Sequence, residues 1–371
     1  MSTFLPLTIN NRRLMYNPEL IKPEMEELEK FLDGESYLKS KNFAEEVLFS
    51  QEIKSNNTVE GYNDDVGLVY DVVYNSASIN DKEKMKRIKN LYLGYKYAFE
   101  GKEITEDNLI ALYKILSDGL LPQNYLENMD KYRKAPVYIY GSKRLDVYDE
   151  GVDSSEIQKY MDEYFSFIQS NNSFKTDTEY FIKSQIMHFQ FVSIHPFFDV
   201  NGRTSRTVSI WYLLNNEVYP YIIFNRGISL DDNIYCKVIK DAKVFGNITY
   251  FLNYMLGSVR LELEKEYIMD MIKYSSNQKL TAVDFQTMYY ILSMKGFLSA
   301  KDFFSFYNRH NDKKKSLEIY RTMLEPLLDK NIIIKVRDTK GDMKDEKKNF
   351  VFKLNPSMYD VDPDKIKKLK I

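Results

Sequence analysis

Along most of the chain, apolar residues recur every three or four positions, which is the spacing of amphipathic helices. Phe43, Val47 and Leu48 follow it in the segment 42–59, and Gly61 comes just after, where a glycine commonly ends a helix. After a proline-interrupted arm, we predict helices over residues 23–32, 42–59, 81–100, 105–121, 154–169, 177–194, 203–215, 231–244 and 248–271. With 14 Gly and 10 Pro in 371 residues, the sequence favours long helices over a sandwich of many turns.

The pattern departs from helix in two places. Strand-like runs at 135–140 and 145–148 flank the turn formers of 141–144, so we predict a β-hairpin there. After a polar linker at 275–278, the predicted elements are helices 282–294, 300–308 and 315–329 and strands 332–336 and 349–354, with a charged segment 337–348 between the strands. Three helices followed by such a hairpin are typical of a winged helix. The expected fold class is therefore mainly α, with a small C-terminal α+β domain.

Length and charge limit the classes of protein. At about 150 residues per domain, the chain corresponds to two or three domains. The 52 Lys and Arg nearly balance the 54 Asp and Glu, and a formal net charge of -2 argues against a polybasic nucleic-acid or membrane-surface protein. A hydrophobic content of 44% is enough for substantial cores. The sequence has no secretory signal and no apolar run long enough for a membrane span, so we expect a cytoplasmic protein without membrane contact.

Cysteine and histidine are scarce. The single cysteine, Cys236, excludes an intramolecular disulfide, and together with three histidines it makes a zinc site unexpected. A lone cysteine without a flanking signature is more often a small buried hydrophobe than a nucleophile. Any chemistry of this chain is therefore expected to use neither zinc nor a thiol.

The segment HPFFDVNGRTSR, residues 195–206, concentrates residues suited to catalysis and anion binding. Pro196 disfavours α geometry at the residue before it, so the preceding helix should end at His195, which can accept a hydroxyl proton near neutral pH. Gly202 permits close approach of a phosphate at the start of the next helix, a ready anion site. Arg203 and Arg206 share a face of that helix, and their guanidinium groups match phosphate oxygens.

Asp199 adds a hard oxygen suited to Mg²⁺, which commonly binds one carboxylate together with substrate phosphates. Taken singly, each of these residues has a plainer explanation as a helix cap, a turn former or part of a solvated face. Gathered within one turn, they favour attack of a hydroxyl on a nucleoside triphosphate.

The same segment resembles the signature of Fic-domain proteins, His-x-Phe-x-(Asp/Glu)-Gly-Asn-Gly-Arg-x-x-Arg. The matching positions are His195, Phe197, Asp199, Asn201, Gly202, Arg203 and Arg206. Val200 departs from it, since the family usually has Gly there, and a β-branched side chain costs of order 1 kcal/mol or more if φ is positive. The resemblance extends over roughly residues 80–255, and within it the predicted hairpin looks like the family's flap.

This resemblance implies transfer of AMP from ATP to a Ser, Thr or Tyr hydroxyl of a protein. It makes His195 the general base and Asp199 the ligand of Mg²⁺. The residues that it places on the nucleotide are Val200, Asn201, Gly202, Arg203 and Arg206, the last on the γ-phosphate. The hairpin residues that it places against an extended target segment, by β-augmentation, are Val137, Tyr138 and Ile139.

Two further residues near the motif each allow two interpretations. Tyr235 falls near the family's adenine pocket, although an aromatic residue on a helix also suits a core. His188 precedes His195 by two helical turns and could approach the site, but we expect a hydrogen-bonded structural histidine, the usual state of a buried polar side chain.

A second resemblance lies upstream, where SNNTVEG at residues 55–61 is similar to the family's inhibitory-helix motif, (Ser/Thr)-x-x-x-Glu-(Gly/Asn). Glu60 and Gly61 match this motif, and Asn56 stands in the Ser/Thr position. The implied mechanism is competition: Glu60 pairs with Arg206 and so occupies the guanidinium that the γ-phosphate needs. The plainer alternative is that Gly61 merely ends a helix and Glu60 is solvated.

These patterns predict an N-terminal helical region with the inhibitory helix (1–79), a Fic-type helical core with its flap (80–274) and a winged-helix-like domain (279–357). The expected function is an autoinhibited, Mg²⁺-dependent protein adenylyltransferase that uses ATP. Alternatives are transfer of UMP, phosphocholine or phosphate, removal of AMP, or a transcriptional or scaffold protein with a nearly inert core. Mixed charge on helix 315–329 favours a protein contact over DNA, and a homodimer stays open.

Overall fold

A computed structural model describes residues 2–32, 45–75, 78–140, 147–170, 174–218, 224–229, 232–275, 278–293, 297–310, 313–337 and 350–358. They fall into two mainly helical compact units, one within residues 1–62 and 66–260 and the other within 63–65 and 261–371. The predicted turn at 141–144 and nearly all of the charged segment 337–348 lie outside the described residues. Within the described ranges, no helix combines the length and the apolarity that crossing a bilayer requires.

The first unit contains a β-hairpin where the sequence pattern predicted only an irregular arm. Strand β1 (Thr3–Ile9) pairs antiparallel with β2 (Arg12–Tyr16). Asn10 and Asn11 connect them with φ angles of 48° and 58°, the left-handed geometry of tight hairpin turns. Pro6 suggested an interruption, but the register of β1 shifts around it, and a bulge tolerates a residue without an N–H.

The helices of this unit follow in the predicted order, with three short additions. They are α1 (Pro18–Leu32), α2 (Glu45–Val59), α3 (Val66–Tyr74), α4 (Lys82–Ala98), α5 (Glu106–Ser117), α6 (Gln123–Glu127), α7 (Ile157–Gln169), α8 (Asp177–Ile194), α9 (Asn201–Asn215), α10 (Phe224–Ile228), α11 (Asp232–Phe245) and α12 (Thr249–Ser275). The additions are α3, α6 and α10, which have too few turns to show a helical period. From Leu261 onward, α12 belongs to the second unit.

The core of the first unit is built on α8 and α9, which pack against each other. Every residue from Phe181 to Phe191 is buried, as a helix surrounded by protein requires. At the start of α8, Thr176 and Glu179 form a reciprocal capping box that satisfies two backbone N–H groups. Helices α4 and α5 pack against α9. The loop between α8 and α9 is therefore anchored at both ends by the core.

The predicted hairpin is present in the described residues as β3 (Tyr138–Tyr140) and β4 (Val147–Glu150). The strands are antiparallel, with Tyr138 opposite Glu150 and Ile139 opposite Asp149. Strand β3 is shorter than the predicted run 135–140, and β4 ends two residues later than predicted. The Gly151 N–H donates to the Val137 carbonyl at 3.1 Å, so one hydrogen bond continues beyond the strands towards Pro136, which has no N–H to donate.

In its described residues, the second unit contains the end of α12, further helices and a three-stranded antiparallel sheet. Its elements are α13 (Ala282–Ser293), β5 (Phe297–Ser299), α14 (Ala300–His310), α15 (Ser316–Ile319), a π-helical turn (Tyr320–Leu324), α16 (Glu325–Asp329), β6 (Ile333–Arg337), β7 (Phe350–Leu354) and a 3₁₀ turn (Pro356–Met358). The strand order is β5-β7-β6, and the sequence pattern missed β5. The π-helical turn ends two residues before Pro326, whose missing N–H interrupts regular α pairing.

Candidate active site

His195 ends helix α8, as predicted from Pro196. Its N–H donates to the Phe191 carbonyl at 2.9 Å, and its φ of 54° is left-handed. Its Nδ1 lies 3.2 Å from the Val192 carbonyl oxygen. Because a carbonyl can only accept, this contact favours the tautomer with the proton on Nδ1. The Nε2 atom is then the basic nitrogen of His195.

The loop after His195 is held by Asn201 and Phe197. The Asn201 side chain accepts from the Phe197 N–H at 2.9 Å and donates to the Phe197 carbonyl at 2.8 Å. The Phe197 ring is fully buried and stacks on Tyr113 with a centroid distance of 3.6 Å. Both polar atoms of the Asn201 amide are therefore engaged within the loop. The side chain of Asn201 thereby fixes the loop between α8 and α9.

Val200 has a positive φ, the conformation for which the motif usually has glycine. It precedes the first turn of α9 with φ 66° and ψ 9°. Such backbone strain in a β-branched residue costs about 1–3 kcal/mol. The side chain is also 1% exposed, and burying a valine contributes about 1.5–3 kcal/mol. The two effects offset each other, so the loop keeps its turn without glycine.

Arg203 is a buried cation with unused donors. It is 3% exposed, and its Nε and Nη1 have no hydrogen-bond partner among the described residues. Its Nη2 lies 3.9 Å from Oδ1 of Asp199, whose exposed carboxylate also accepts from the Val200 N–H at 2.6 Å. Buried guanidinium donors without partners are costly, and an anionic ligand would satisfy them.

Arg206 and Glu60 form the ion pair that the upstream motif predicts. Arg206 is 1% exposed, and its Nη2 lies 2.6 Å from Oε1 of Glu60. Gly61 follows with φ 83°, a backbone conformation that favours glycine just after the end of α2. A Cβ on Gly202 would overlap the Glu60 carboxylate and lie 2.9 Å from Nη1 of Arg206. Glycine at position 202 is what lets an anion approach α9 this closely.

Charge around the site sets the protonation of Glu60 and His195. Burial opposes ionisation of Glu60, but Arg206 and Arg203 outweigh it and hold the Glu60 pKa below its ordinary value. Burial lowers the pKa of His195 to about 4, with help from the cations Arg133 and Lys243 and against the Val192 carbonyl and Glu60. At neutral pH, the site therefore combines a carboxylate with an uncharged imidazole.

Arg133 is a site residue that sequence reasoning did not single out. Its guanidinium donates to the carbonyls of His195 at 2.8 Å, Ala135 at 2.7 Å and Val152 at 2.5 Å. The side chain is 2% exposed, and burial lowers its pKa to about 10. An arginine in a loop-like stretch carries no sequence signal of burial.

Lys243 is a second buried cation near the site that the sequence did not indicate. It lies near the end of α11 and donates to both Asp149 carboxylate oxygens at 3.1 Å and to the Glu150 carbonyl. It is 4% exposed, so this pair is largely shielded from solvent. Lys243 thereby attaches strand β4 of the hairpin to the helix that carries Tyr235.

A buried polar network continues from Arg206 into the protein. Asn56 accepts from Nε and Nη2 of Arg206 at 3.0 and 2.8 Å, and its own amide donates to the Tyr95 hydroxyl at 2.8 Å. Tyr95 donates to Oε1 of Glu52 at 3.2 Å, and Asn225 donates to the same oxygen. The sequence does not indicate these bonds of Asn56, because its partners come from distant helices.

Glu52 should make stability fall as pH rises. Burial raises its pKa to about 8, against the hydrogen bonds from Asn225 and Tyr95 that favour the ionised form. Between pH 6.5 and 8, the folded chain then holds a proton that the unfolded chain has lost. Relative to Glu52→Gln, we expect the unfolding free energy of the unaltered chain to decrease by up to about 1.4 kcal/mol per pH unit. Thermal or denaturant unfolding of both proteins at several pH values measures this, and parallel profiles would contradict it. The pH range of 6.5 to 8 avoids the titration of His188 and His195. Their pKa values are lowered in the folded chain, so their effect on stability falls below this range.

A cavity of about 660 Å³ brings most of the predicted site together. The predicted residues that line it are Glu60, Gly61, Val137, Tyr138, Ile139, His195, Asp199, Asn201, Gly202, Arg206 and Tyr235. Val200 and Arg203 are not part of this lining and lie buried beside it. The lining residues of α11 that the sequence did not indicate include Asn233, Ile239 and Lys240. Cys236, for which the sequence favoured a buried position, is exposed and also lines the cavity.

Tyr235 and His188 meet behind the site. The two nitrogens of His188 lie 2.7 Å from the Ser205 hydroxyl and 2.6 Å from the Tyr235 hydroxyl. Both side chains are buried, and burial holds the His188 pKa well below its ordinary value. His188 is thus the hydrogen-bonded structural histidine expected from the sequence. Tyr235 serves both the core and the cavity wall, and its place near adenine stays a prediction.

The mainly helical structure, with His195, Arg206 and the hairpin around one cavity, is consistent with the Fic helical fold. Residues 103–213 match the model of the Fic/DOC family, so this chain carries a Fic/DOC family domain. Among solved structures, a Fic family protein from Desulfovibrio desulfuricans G20 aligns at 19% identity over 94% of this chain and 97% of that chain, with a TM-score of 0.59. Fic-1 from C. elegans aligns at 13% identity over 70% of this chain and 76% of that chain, with a TM-score of 0.52. At these identities, the structural matches show the fold.

Proposed function

We propose that this chain is a protein adenylyltransferase, which transfers AMP from ATP to a hydroxyl side chain and is restrained by its own Glu60. The observation that carries the proposal is the Glu60–Arg206 pair in the cavity that His195 lines. A carboxylate held by a buried guanidinium stands where an anionic ligand would bind. The neighbouring Arg203, with unpartnered donors, offers a second cation to the same anion.

In the proposed reaction, the target hydroxyl attacks the α-phosphorus of ATP. The bond formed is target oxygen to phosphorus, the bond broken joins that phosphorus to the bridging oxygen of the β-phosphate, and pyrophosphate leaves. His195 accepts the hydroxyl proton at Nε2 and later gives it to solvent. Its lowered pKa keeps the imidazole neutral, and the bond from Arg133 to the His195 carbonyl fixes its backbone.

Mg²⁺ is expected to accompany ATP. Among the described residues, no group of three or more His, Cys, Asp or Glu side chains could hold a metal ion by itself. The exposed Asp199 carboxylate offers one hard oxygen beside the cavity, which fits a cation whose other ligands are phosphates and water. When bound, the ion would neutralise charge on the phosphates, and Asp199 would hold it.

Radiolabelled nucleotides distinguish AMP transfer from the other Fic reactions. We expect the Glu60→Gly chain with Mg²⁺ to label protein from α-labelled ATP and not from γ-labelled ATP. Labelling from γ-labelled ATP alone would indicate phosphate transfer, and labelling from UTP or CDP-choline alone would indicate another group. No labelling with any donor, combined with salt-sensitive DNA binding, would instead favour a transcriptional role for the second unit.

The pH dependence of the reaction should follow His195. A general base must be unprotonated, and its pKa near 4 leaves it so at neutral pH. Glu60 raises that pKa, so Glu60→Gly should lower it further. We expect the transfer rate of Glu60→Gly at saturating ATP and Mg²⁺ to be nearly constant from about pH 6 to 8. A rate that rises tenfold per pH unit across this range would contradict His195 as the base.

A further inference from the structure

The orientation of the Arg206 guanidinium depends more on Asn56 than on Glu60. Its Nε donates to Oδ1 of Asn56 at 3.0 Å, and its Nη2 donates to the same oxygen at 2.8 Å and to the Asn56 carbonyl at 3.2 Å. Glu60 receives one bond, from Nη2. Two donors that converge on one oxygen fix both the plane and the roll of a guanidinium. Departure of Glu60 would therefore leave Arg206 oriented.

The Asn56 amide can do this only with its oxygen toward Arg206. A flipped amide would turn its NH₂ group toward the guanidinium donors, and two sets of donors would face each other in a buried place. Asn56 is fully buried, so water is not a substitute partner. The side of the amide that faces away from Arg206 must therefore meet an acceptor.

Tyr95 provides that acceptor because of Glu52. A tyrosine hydroxyl has one proton, and here it goes to Oε1 of Glu52 at 3.2 Å. The hydroxyl oxygen is then left to accept from the Asn56 amide at 2.8 Å. Oε1 accepts in either protonation state of Glu52, and Asn225 donates to it as well. The direction of each hydrogen bond follows from the one before it.

We propose that Glu52 and Tyr95 are positioning residues that fix the Asn56 amide and thereby present Arg206 to anions in one orientation. The arrangement acts both when Glu60 is the anion and when a ligand replaces it. The identity of that ligand as the outer phosphates of ATP rests on the proposed function. Glu52 and Asn56 are four residues apart on one face of α2, while Tyr95 comes from α4 and Arg206 from α9, so the arrangement joins three helices.

The first test needs no ligand and no activity. In the full chain labelled with ¹⁵N-arginine, the Nε–H signal of Arg206 is assigned by its loss in Arg206→Lys. We expect Tyr95→Phe to speed solvent exchange of this proton by about tenfold. Tyr97→Phe is the matched control. It also removes a tyrosine hydroxyl from α4, but this hydroxyl donates to Asn108 and not to the network of Arg206. Unchanged exchange in Tyr95→Phe would overturn the proposal.

Asn56→Asp separates orientation from general loosening of the protein. Both terminal atoms of aspartate accept hydrogen bonds, so its orientation no longer matters to Arg206. In the Asn56→Asp chain, we expect Tyr95→Phe to change Arg206 exchange by less than about twofold. An equal acceleration in both backgrounds would mean that Tyr95 acts only through the stability of the fold, and the proposal would be wrong.

Ligand binding provides the second readout, in the Glu60→Gly chain. Calorimetry should show that adding Tyr95→Phe weakens ATP binding by about five- to tenfold and AMP binding by less than about twofold. Equal weakening of both ligands would contradict positioning through Arg206. If Glu60→Gly binds no nucleotide at all, the proposed function fails, while the exchange measurement still decides the role of Tyr95.

Discussion

Glu60→Gly should raise the rate of AMP transfer by about 10- to 100-fold over the unaltered chain. The Glu60 carboxylate accepts a charge-assisted bond from a buried arginine, and such bonds contribute about 1.5–3 kcal/mol, with each 1.4 kcal/mol equal to tenfold. Residue 60 follows the last residue of α2, so glycine there does not interrupt the helix. Initial rates of label transfer from α-labelled ATP measure the effect.

Two conservative variants separate charge from shape at this position. Glu60→Gln keeps the size of the side chain and removes its charge, so we expect a rate between those of the unaltered chain and Glu60→Gly. Glu60→Asp keeps the charge but shortens the reach to Arg206 and should also give an intermediate rate. Equal rates in all four proteins would show that Glu60 does not restrain the site.

His195→Ala, introduced into the Glu60→Gly chain, should reduce AMP transfer by about 10²- to 10⁴-fold, the usual contribution of a general base. The imidazole lines the cavity, stays neutral at working pH and has its Nδ1 toward the Val192 carbonyl. Among the described residues that line this cavity, no other histidine could replace it as the base. Single-turnover label transfer measures the chemical step.

Binding serves as the control for this variant. His195 is assigned to proton transfer and the arginines to the phosphates, so ATP affinity measured by calorimetry should change by less than about threefold. Transfer that stays within about twofold of Glu60→Gly would show that another group accepts the proton. Loss of ATP binding together with activity would place His195 in the binding site rather than in the chemistry.

The sequence predicted the helix ends at this site, because a residue's own backbone preferences determine them. Pro196 placed His195 at a helix end, and Gly61 ended α2 with positive φ, because each acts through its own backbone. The matching motif then predicted several of the residues that share the cavity, while Val200 and Arg203 lie buried beside it. The N-terminal hairpin was missed although its Asn10-Asn11 turn was readable, since Pro6 obscured the alternating pattern around it.

The remaining site residues could not be read because their roles depend on distant partners. Arg133 bonds across 62 residues to His195, and Asn56 bonds across 150 residues to Arg206. Glu52 belongs to a helix that the sequence predicts, but nothing in the sequence shows that a carboxyl there is buried. Such networks follow from tertiary packing and not from spacing along the chain.

The three carbonyls held by Arg133 have one more consequence. Ala135 precedes the first strand of the hairpin and Val152 follows the second, so they stand at its two roots. His195 is the proposed base, and one arginine side chain therefore holds both roots and the catalytic loop together. The strands between those roots can then change in sequence without displacing the imidazole. Under the proposed function, the choice of target protein and the chemistry performed on it are separable, and rewriting two short strands would redirect the enzyme.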